Sequence, residues 1–247
     1  MNFLGIIPAR YGSSRLEGKP LKDIAGKTMI QRVYEKASQA LDTVYVATDD
    51  IRIEEVVKAF GGKVVMTSEA HENGTSRCLE AWEKIKGLED ESFDVAVNIQ
   101  GDEPLLHPES LETIKSCFED TETQFATLVI PVKDGNDVTH NNGVFVTFTT
   151  SGNAIYFSRT AIPALRDFPK EEWANHFQYH KHLGMYAYTY SALSEFASMP
   201  ASSLEMAEML EQNRWIENGG KIKVGITEHD VIAVDTEEDL ERVRKLF

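Results

Sequence analysis

The sequence predicts an α/β protein built on a doubly wound, mostly parallel sheet. In the first hundred residues, short apolar segments alternate with segments of helical periodicity, and the connections between them are short. Crossovers between parallel strands are right-handed, which places helices on the faces of the sheet. Because ligands of such sheets bind at the carboxyl ends of the strands, we expect loops 8–20, 67–77 and 100–104 to face one crevice.

The first half of the chain supplies this alternation. Strands are predicted at 3–7, 44–48, 64–66 and 95–99, and helices at 29–40, 51–60 and 76–86. Pro8 should end the first strand, because proline lacks the N–H that a sheet ladder uses. The acidic pair Asp49 and Asp50 is best explained as a cap of the helix that follows it.

The rhythm changes at about residue 125, where strands follow one another with little helix between them. We predict a smaller mixed sheet at about 125–200, within a single domain that covers 1–247. Its strands are predicted at 125–132, 143–148, 154–157 and 183–188. Helices at 191–197 and 204–218 follow, then strands at 222–226 and 231–234 and a last helix opened by a capping box at 236–239.

Charge and composition exclude several classes of function. Lys and Arg number 25 against 40 Asp and Glu, a formal net charge of −15, which argues against a nucleic-acid partner or an anionic membrane surface. The sequence has neither an apolar run long enough to span a bilayer nor a signal-peptide pattern at its start. The two cysteines lack metal-site spacing and fit a reducing compartment, so we expect a cytoplasmic protein.

The segment 6–20 has the composition of a polyphosphate-binding loop. Arg10, Arg15 and Lys19 provide three positive charges just after an apolar strand. Gly12 and Gly18 allow backbone N–H groups to turn toward an anion. A surface loop with ordinary solvated cations is the alternative.

Two carboxylates, Asp102 and Asp235, each follow an apolar segment and could together hold one Mg²⁺. Taken singly, each is also explained by a turn or by the start of a helix. His176, His180 and His182 do not form a convincing zinc site, since no cysteine or carboxylate completes a tetrahedron. A hydrogen bond from His182, just before a predicted strand, to a sugar is more plausible.

Other polar groups have two interpretations each. Arg159, at the end of a predicted strand, suits a carboxylate substrate, although a surface salt bridge explains it equally well. In helix 204–218 the predicted buried stripe is Met206, Met209 and Leu210, which leaves Glu208, Glu211 and Gln212 on a solvent face. The absence of P-loop, dinucleotide-binding and Ser-His-Asp patterns weakens kinase, dehydrogenase and hydrolase interpretations.

Taken together, these segments resemble the 3-deoxy-D-manno-octulosonate (KDO) cytidylyltransferases of lipopolysaccharide biosynthesis. The resemblance extends over nearly the whole chain and is carried by segments 6–11, 18–20, 46–49, 74–77, 98–104, 156–159, 182–186, 208–212 and 234–236. It implies a nucleotide-diphospho-sugar transferase fold, which is Rossmann-like. It also implies transfer of CMP from CTP to an eight-carbon ulosonic acid, with Mg²⁺ and release of pyrophosphate.

The resemblance also implies roles for particular residues. The nucleotide would be bound by Arg10, Arg15, Lys19, Arg77 and Gln100. Mg²⁺ would be held by Asp102 and Asp235, which together with Lys19 form the catalytic set. The sugar would be bound by Gln100, Arg159, His182, Tyr186, Glu211 and Gln212. The family is usually a homodimer formed through the smaller mixed sheet.

Two departures from the family pattern bear on the substrate. Glu17 stands where the family commonly has proline, and Phe145 stands where it commonly has lysine. A related branch acts on 8-amino-3,8-dideoxy-D-manno-octulosonate, whose ammonium group would tolerate the loss of a positive charge; alternatively, Phe145 is a core residue. Two further alternatives are another sugar nucleotidyltransferase, of CMP-sialate or NDP-hexose type, and a non-catalytic nucleotide-binding module.

Overall fold

The secondary structure alternates strands and helices in the first hundred residues and becomes strand-rich after residue 125. The computed structural model describes residues 1–12, 15–71, 73–89 and 92–247. The strands are β1 (Phe3–Ala9), β2 (Asp23–Ile24), β3 (Lys27–Thr28), β4 (Thr43–Thr48), β5 (Lys63–Met66), β6 (Val95–Asn98), β7 (Phe125–Pro131), β8 (Phe145–Phe148), β9 (Ala154–Ser158), β10 (His180–Thr189) and β11 (Lys223–Ile226). The helices are α1 (Met29–Ala37), α2 (Ile51–Ala59), α3 (Gly74–Ile85), α4 (Pro108–Ser116), α5 (Gly135–His140), α6 (Trp173–His176), α7 (Tyr190–Ser198), α8 (Ser203–Glu208), α9 (Gln212–Glu217) and α10 (Glu237–Arg244). Short 3₁₀ turns occupy Lys19–Leu21, Cys117–Glu119 and Lys170–Glu172.

The chain divides into two compact units. Unit 1 comprises Met1–Glu112, Ala187–Ala197 and Val231–Phe247. Unit 2 comprises Thr113–Tyr186 and Ser198–Asp230.

Unit 1 contains the parallel sheet that the alternating pattern predicts. Its strands lie in the order β6-β1-β4-β5, all parallel, and α1, α2 and α3 pack against them. The side chains of Leu4, Ile6 and Ile7 in β1 are fully buried, as expected for a central parallel strand. Helix α2 begins where predicted, and Asp50 caps it by accepting a hydrogen bond from the backbone N–H of Arg52. The predicted fold class is confirmed.

The prediction that Pro8 ends the first strand is wrong. Pro8 lies within β1 and stands opposite Ala47 of β4 in the parallel register. The Ile6 carbonyl faces β6, where it accepts the Ile99 N–H, and alternate residues of a strand direct their backbone groups to the same side. The nitrogen of Pro8 therefore points past the end of β6, whose pairing with β1 stops at Ile6, and no ladder hydrogen bond is lost.

Unit 2 contains the mixed sheet that the second half of the sequence predicts. Strand β7 pairs in parallel with β11, while β8 pairs antiparallel with both β9 and β10. Phe145 of β8 is fully buried and stacks edge-on against Tyr179, with 6.3 Å between ring centroids. Of the two explanations for Phe145, the structure supports a core residue. Helix α5 was not predicted.

The predicted continuous helix at 204–218 is wrong, because Met209 breaks it into α8 and α9. Met209 has φ 52°, in the left-handed region, and is the C-cap of α8. The predicted buried stripe fails at two of its three positions: Met206 and Met209 are 61% and 76% exposed, and only Leu210 is buried.

One predicted strand start and one predicted strand are also wrong. His182 lies inside β10 rather than before it. Residues 231–234 form no strand; the Val234 N–H instead donates a single hydrogen bond of 2.9 Å to the Asp102 carbonyl. Among the described residues, no helix has both the length and the apolar character needed to cross a membrane.

Candidate active site

A pocket of about 310 Å³ lies at the carboxyl ends of the strands in unit 1. Its walls come from the three loops that the fold class predicts to face one crevice, together with Asp235. Every residue predicted to hold the nucleotide or the metal lines it: Arg10, Arg15, Lys19, Arg77, Gln100, Asp102 and Asp235. Pro8, Ala9, Pro20, His71, Asn73, Gly74 and Gly101 complete the lining.

The backbone brings the distant carboxylates together. Asp102 follows β6, and the hydrogen bond from the Val234 N–H to the Asp102 carbonyl places Asp235 beside it. Gly101 allows this turn to approach β1, because a Cβ atom there would lie 3.0 Å from the Pro8 carbonyl oxygen. Two residues that are more than 130 positions apart thus face the same pocket.

Lys19 forms the centre of a charged cluster in this pocket. Its ammonium nitrogen lies 2.6 Å from the Asp102 Oδ2 atom and 3.1 Å from the Asp235 Oδ1 atom. Arg15 donates a second hydrogen bond, of 3.1 Å, to the same oxygen of Asp235. Gly18, with φ 64°, turns the chain so that a 3₁₀ turn begins at Lys19. Two carboxylates are thus already paired with two cations of the chain.

Arg77 lines the pocket, but its guanidinium group is engaged in a buried ion pair. The side chain is 4% exposed; it donates 2.6 Å and 2.7 Å hydrogen bonds to the Asp49 carboxylate and the Thr67 hydroxyl. Asp49 therefore has a different role from its neighbour Asp50, which caps α2. The sequence motif indicated Arg77 but not the partner that fixes its position.

The Glu17 carboxylate is close enough to Arg52 of α2 for the two charges to interact. The charge of Glu17 is one of several causes that raise the pKa of Arg52, the largest being its hydrogen bond with Asp50. Arg52 also stacks over the Tyr11 ring, 3.3 Å from its centroid. A cation of α2 thus offsets the carboxylate that is unexpected among the phosphate-binding residues.

In unit 2, His182 is held in one tautomer by Thr127. The Thr127 hydroxyl donates its single proton to the Met185 carbonyl at 2.8 Å, so it must accept from the His182 Nε2–H at 2.9 Å. The lone pair of the ring therefore lies on Nδ1. Burial lowers the pKa of His182 to about 3, so the ring is neutral at physiological pH.

Tyr186 and Gln212 form a second polar pair in unit 2. The Tyr186 hydroxyl donates a 3.1 Å hydrogen bond to the Gln212 Oε1 atom. Burial, and then the charge of Glu211, raise the pKa of Tyr186 and keep the hydroxyl protonated. The Gln212 side chain is only 3% exposed, and its Nε2 donor has no hydrogen-bond partner in the described part of the chain. An unsatisfied buried donor of this kind fits an acceptor on a ligand.

Glu208, predicted to face solvent, instead organises the segment around Arg159. Its carboxylate accepts hydrogen bonds from the Ser158 hydroxyl at 2.8 Å and from the Arg159 backbone N–H at 3.0 Å. The Arg159 guanidinium donates to the carbonyls of Glu208 and Met209, at 2.6 Å and 3.1 Å. The arginine therefore satisfies the last carbonyls of α8, where Met209 breaks the helix.

Residues 4–222 match a family model described as Cytidylyltransferase. The chain belongs to the cytidylyltransferase family. It is 54% identical over 246 residues to a 3-deoxy-manno-octulosonate cytidylyltransferase of Parabacteroides distasonis, covering 98% of this chain and 96% of the relative. It is 48% identical over 244 residues to an 8-amino-3,8-dideoxy-manno-octulosonate cytidylyltransferase of Shewanella woodyi, covering 97% and 96%.

A solved structure of CMP:2-keto-3-deoxy-manno-octonic acid synthetase complexed with CTP has the same fold. It superposes with a TM-score of 0.90 at 41% identity and covers 100% of this chain and 98% of that one. These similarities confirm the family resemblance read from the sequence, the fold and the nucleotidyltransferase class of the enzyme.

The lysine-bridged carboxylates of this cytidylyltransferase suit a divalent cation. Asp102 and Asp235 each direct an oxygen at one positively charged atom, so the pair already converges on a cation. Mg²⁺ binds well to one or two protein carboxylates, with water and substrate phosphates completing its shell. Within the described ranges, no group of three or more His, Cys, Asp or Glu side chains could hold a metal.

Two residues of the pocket were missed in the sequence: His71 and Asn73. Asn73 caps α3 by accepting a hydrogen bond from the Ser76 N–H, and His71 contacts the Ser76 hydroxyl and the Glu80 carboxylate. Burial raises the pKa of Glu80, but its hydrogen bonds outweigh this and lower it to about 2. The Asn-Gly start of α3, next to the recognised 74–77 motif, was the signal that could have identified Asn73.

Proposed function

We propose that this cytidylyltransferase transfers CMP from CTP to 3-deoxy-D-manno-octulosonate, or to its 8-amino-3,8-dideoxy analogue, and releases pyrophosphate. The observation that carries the proposal is the cluster of Lys19, Asp102 and Asp235 in a pocket that Arg10 and Arg15 also line. Such a pocket can bind a triphosphate together with a divalent cation. The product would be an activated sugar for lipopolysaccharide biosynthesis.

In this proposal the residues of unit 1 bind the triphosphate and stabilise its leaving group. The anomeric hydroxyl of the sugar attacks the α-phosphorus; its oxygen forms the new P–O bond as the bond to pyrophosphate breaks, and its proton is lost to solvent. Negative charge grows on the departing oxygens, where Lys19, Arg10 and Arg15 provide fixed positive charge. Arg77, held by Asp49 and Thr67, has a rigid position against the nucleotide. Gln100 lines the same pocket and supplies an amide for either substrate.

Asp102 and Asp235 would hold Mg²⁺, which neutralises phosphate charge and polarises the reacting phosphoryl group when bound. The two carboxylates are suited to it because both already point at one cation.

The residues of unit 2 would bind the sugar acid. His182 offers its Nδ1 lone pair to a sugar hydroxyl, and its low pKa makes it an orienting group rather than a base. Gln212 offers its unpartnered Nε2 donor, beside the Tyr186 hydroxyl. Arg159 has five N–H donors for a carboxylate, of which the helix carbonyls use only some in the described region. Glu211 belongs to the same predicted set.

The 8-hydroxy sugar is the better-supported choice. The burial of Phe145 in the core of unit 2 explains the missing lysine by packing, which removes one reason to favour the amino sugar. The Parabacteroides distasonis relative, named for 3-deoxy-manno-octulosonate, is also more similar to this chain than the Shewanella woodyi relative, at 54% against 48% identity. The 8-amino sugar remains the second candidate because a relative of that name covers almost the whole chain.

The proposal also includes a homodimer formed through the smaller mixed sheet, and action in the cytoplasm. The strands of the mixed sheet in unit 2, from β7 to β11, could form such an interface. Light scattering of the purified protein tests the first part: a mass of one chain, 27.7 kDa, would contradict it.

Release of pyrophosphate from CTP and Mg²⁺ tests the reaction, with the 8-hydroxy and 8-amino sugars compared at equal concentration. We expect turnover with at least one, and faster turnover with the 8-hydroxy sugar. Asp102→Asn should lower the rate by about 100-fold or more while the protein stays folded; normal activity would contradict the metal assignment. Pyrophosphate release with sialic acid or a hexose phosphate, but with neither octulosonate, would favour another sugar nucleotidyltransferase, and no release with any sugar would favour a nucleotide-binding module.

A further inference from the structure

The Lys19 ammonium group bridges the two carboxylates that would hold Mg²⁺. Its ammonium nitrogen contacts Asp102 at 2.6 Å and Asp235 at 3.1 Å, and the side chain is only 16% exposed. Arg15 adds a contact of 3.1 Å to Asp235. Two negative charges therefore face two positive charges, and the cluster is neutral without any added ion.

The backbone on both sides of this cluster is anchored. The Gly18 N–H donates to the Tyr11 carbonyl at 3.1 Å, and the Lys19 carbonyl accepts from Lys22 at 3.2 Å. On the acidic side, the Asp102 carbonyl accepts from Val234 at 2.9 Å. With the backbone held by these hydrogen bonds, the long, flexible side chain of Lys19 can move its charge further than the short side chains of Asp102 and Asp235 can move theirs.

A cation that enters this cluster has to displace an ammonium group that both carboxylates bind. A divalent ion alone gains the carboxylates but leaves Lys19 without a partner in a half-buried position, which is costly. A triphosphate changes this balance, because it offers Lys19 and Arg15 new anionic oxygens. Once the two cations turn to the phosphates, Asp102 and Asp235 are released.

We propose that Lys19 is a place-holding cation that keeps the metal-binding carboxylates occupied until a nucleotide triphosphate draws it away. The inference rests on the proposed function, since it takes the triphosphate and the divalent ion as ligands of this pocket. It adds that the two ligands bind cooperatively through Lys19. Such a coupling is reciprocal: the triphosphate strengthens metal binding and the metal strengthens triphosphate binding by the same factor.

Binding of Mn²⁺ to the full-length protein, measured by electron paramagnetic resonance without nucleotide or sugar, tests the first half of the inference. Lys19→Met keeps the length of the side chain and removes its charge. We expect Lys19→Met to bind Mn²⁺ at least about 5-fold more tightly than the wild type, in the usual range of such couplings. Arg10→Met is the matched control: it also removes a cation of the pocket, but Arg10 has no ion pair with Asp102 or Asp235 among the described residues.

Equal or weaker Mn²⁺ binding by Lys19→Met would overturn the inference, as would an equal gain in Arg10→Met, since a gain common to both variants reflects net charge alone. Adding Asp102→Asn to Lys19→Met should abolish the gain and thereby locate the ion.

The second half is tested with saturating α,β-methylene CTP. Metal bound by the free analogue is common to both proteins, so their difference isolates Lys19. We expect the advantage of Lys19→Met to disappear; an undiminished advantage would contradict the role of the triphosphate. Failure of the proposed function is read separately, as absence of pyrophosphate release by the wild type with any sugar.

Discussion

Thr127→Val tests the hydrogen bond that fixes the tautomer of His182. Valine has nearly the shape of threonine but no hydroxyl, and Thr127 is fully buried. The substitution removes a 2.9 Å acceptor from the His182 Nε2–H and a 2.8 Å donor from the Met185 carbonyl. The carbonyl keeps a second lone pair for other partners, so the main cost is that the buried Nε2 atom of His182 loses its hydrogen-bond partner, which amounts to about 1–3 kcal/mol of unfolding free energy.

The same change should weaken sugar binding without affecting the nucleotide. Once Nε2 has no acceptor, the proton favours Nδ1, which turns the proposed sugar acceptor into a donor. Loss of one hydrogen bond of about 0.5–1.5 kcal/mol raises the KM for the sugar about 2- to 12-fold. The KM for CTP should be unchanged, since the triphosphate residues lie in unit 1.

Urea denaturation and initial-rate kinetics measure the two effects. Thr127→Ser is the matched control, because it restores the hydroxyl and should return both the stability and the KM for the sugar toward the wild type. A Thr127→Val variant as stable as the wild type, or serine and valine variants with the same KM for the sugar, would refute this role of the Thr127 hydroxyl.

Three further predictions concern His182, Glu17 and Met209. The pKa of His182 is lowered from 6.5 to about 3 on folding. As the pH falls below about 6.5, the imidazole therefore becomes protonated in the unfolded chain but stays neutral in the folded one, and the free energy of unfolding decreases. Urea unfolding at pH 7 and pH 5 should therefore show a loss up to about 2 kcal/mol larger for the wild type than for His182→Gln, and equal losses would contradict the low pKa. Glu17→Pro should leave the KM for CTP equal or lower in pyrophosphate-release assays, because Arg52 offsets this carboxylate, whereas a marked rise would reveal a role in nucleotide binding. Met209→Gly should raise the unfolding free energy by about 0.5–1 kcal/mol, since a side chain at φ 52° is strained; the matched change Met206→Gly, inside α8, should lower it by about 1 kcal/mol, and a fall in both variants would argue against strain at Met209.

The triphosphate and metal residues could be found from the sequence because their signals are local. Arg10, Arg15 and Lys19 lie within ten positions directly after a buried strand, and the parallel fold class places such loops at one edge of the sheet. That rule explains why loops 8–20, 67–77 and 100–104 line the same pocket. Helix caps such as Asp50 and Thr236 are equally local, and both occur as predicted.

The sequence by itself determined the alternating α/β pattern, the family and the residue types of the candidate site, because short-range periodicity and ordered motifs encode them. Only the tertiary structure decided which partners these residues take. The Lys19 bridge between Asp102 and Asp235, the Asp49 clamp on Arg77 and the Thr127 contact with His182 each join positions at least 28 apart. Such pairings depend on strand order and register, which no local pattern records. The break at Met209 was missed for the same reason: its local pattern is helical, and the carbonyls it leaves open are bound by Arg159, fifty residues earlier in the chain.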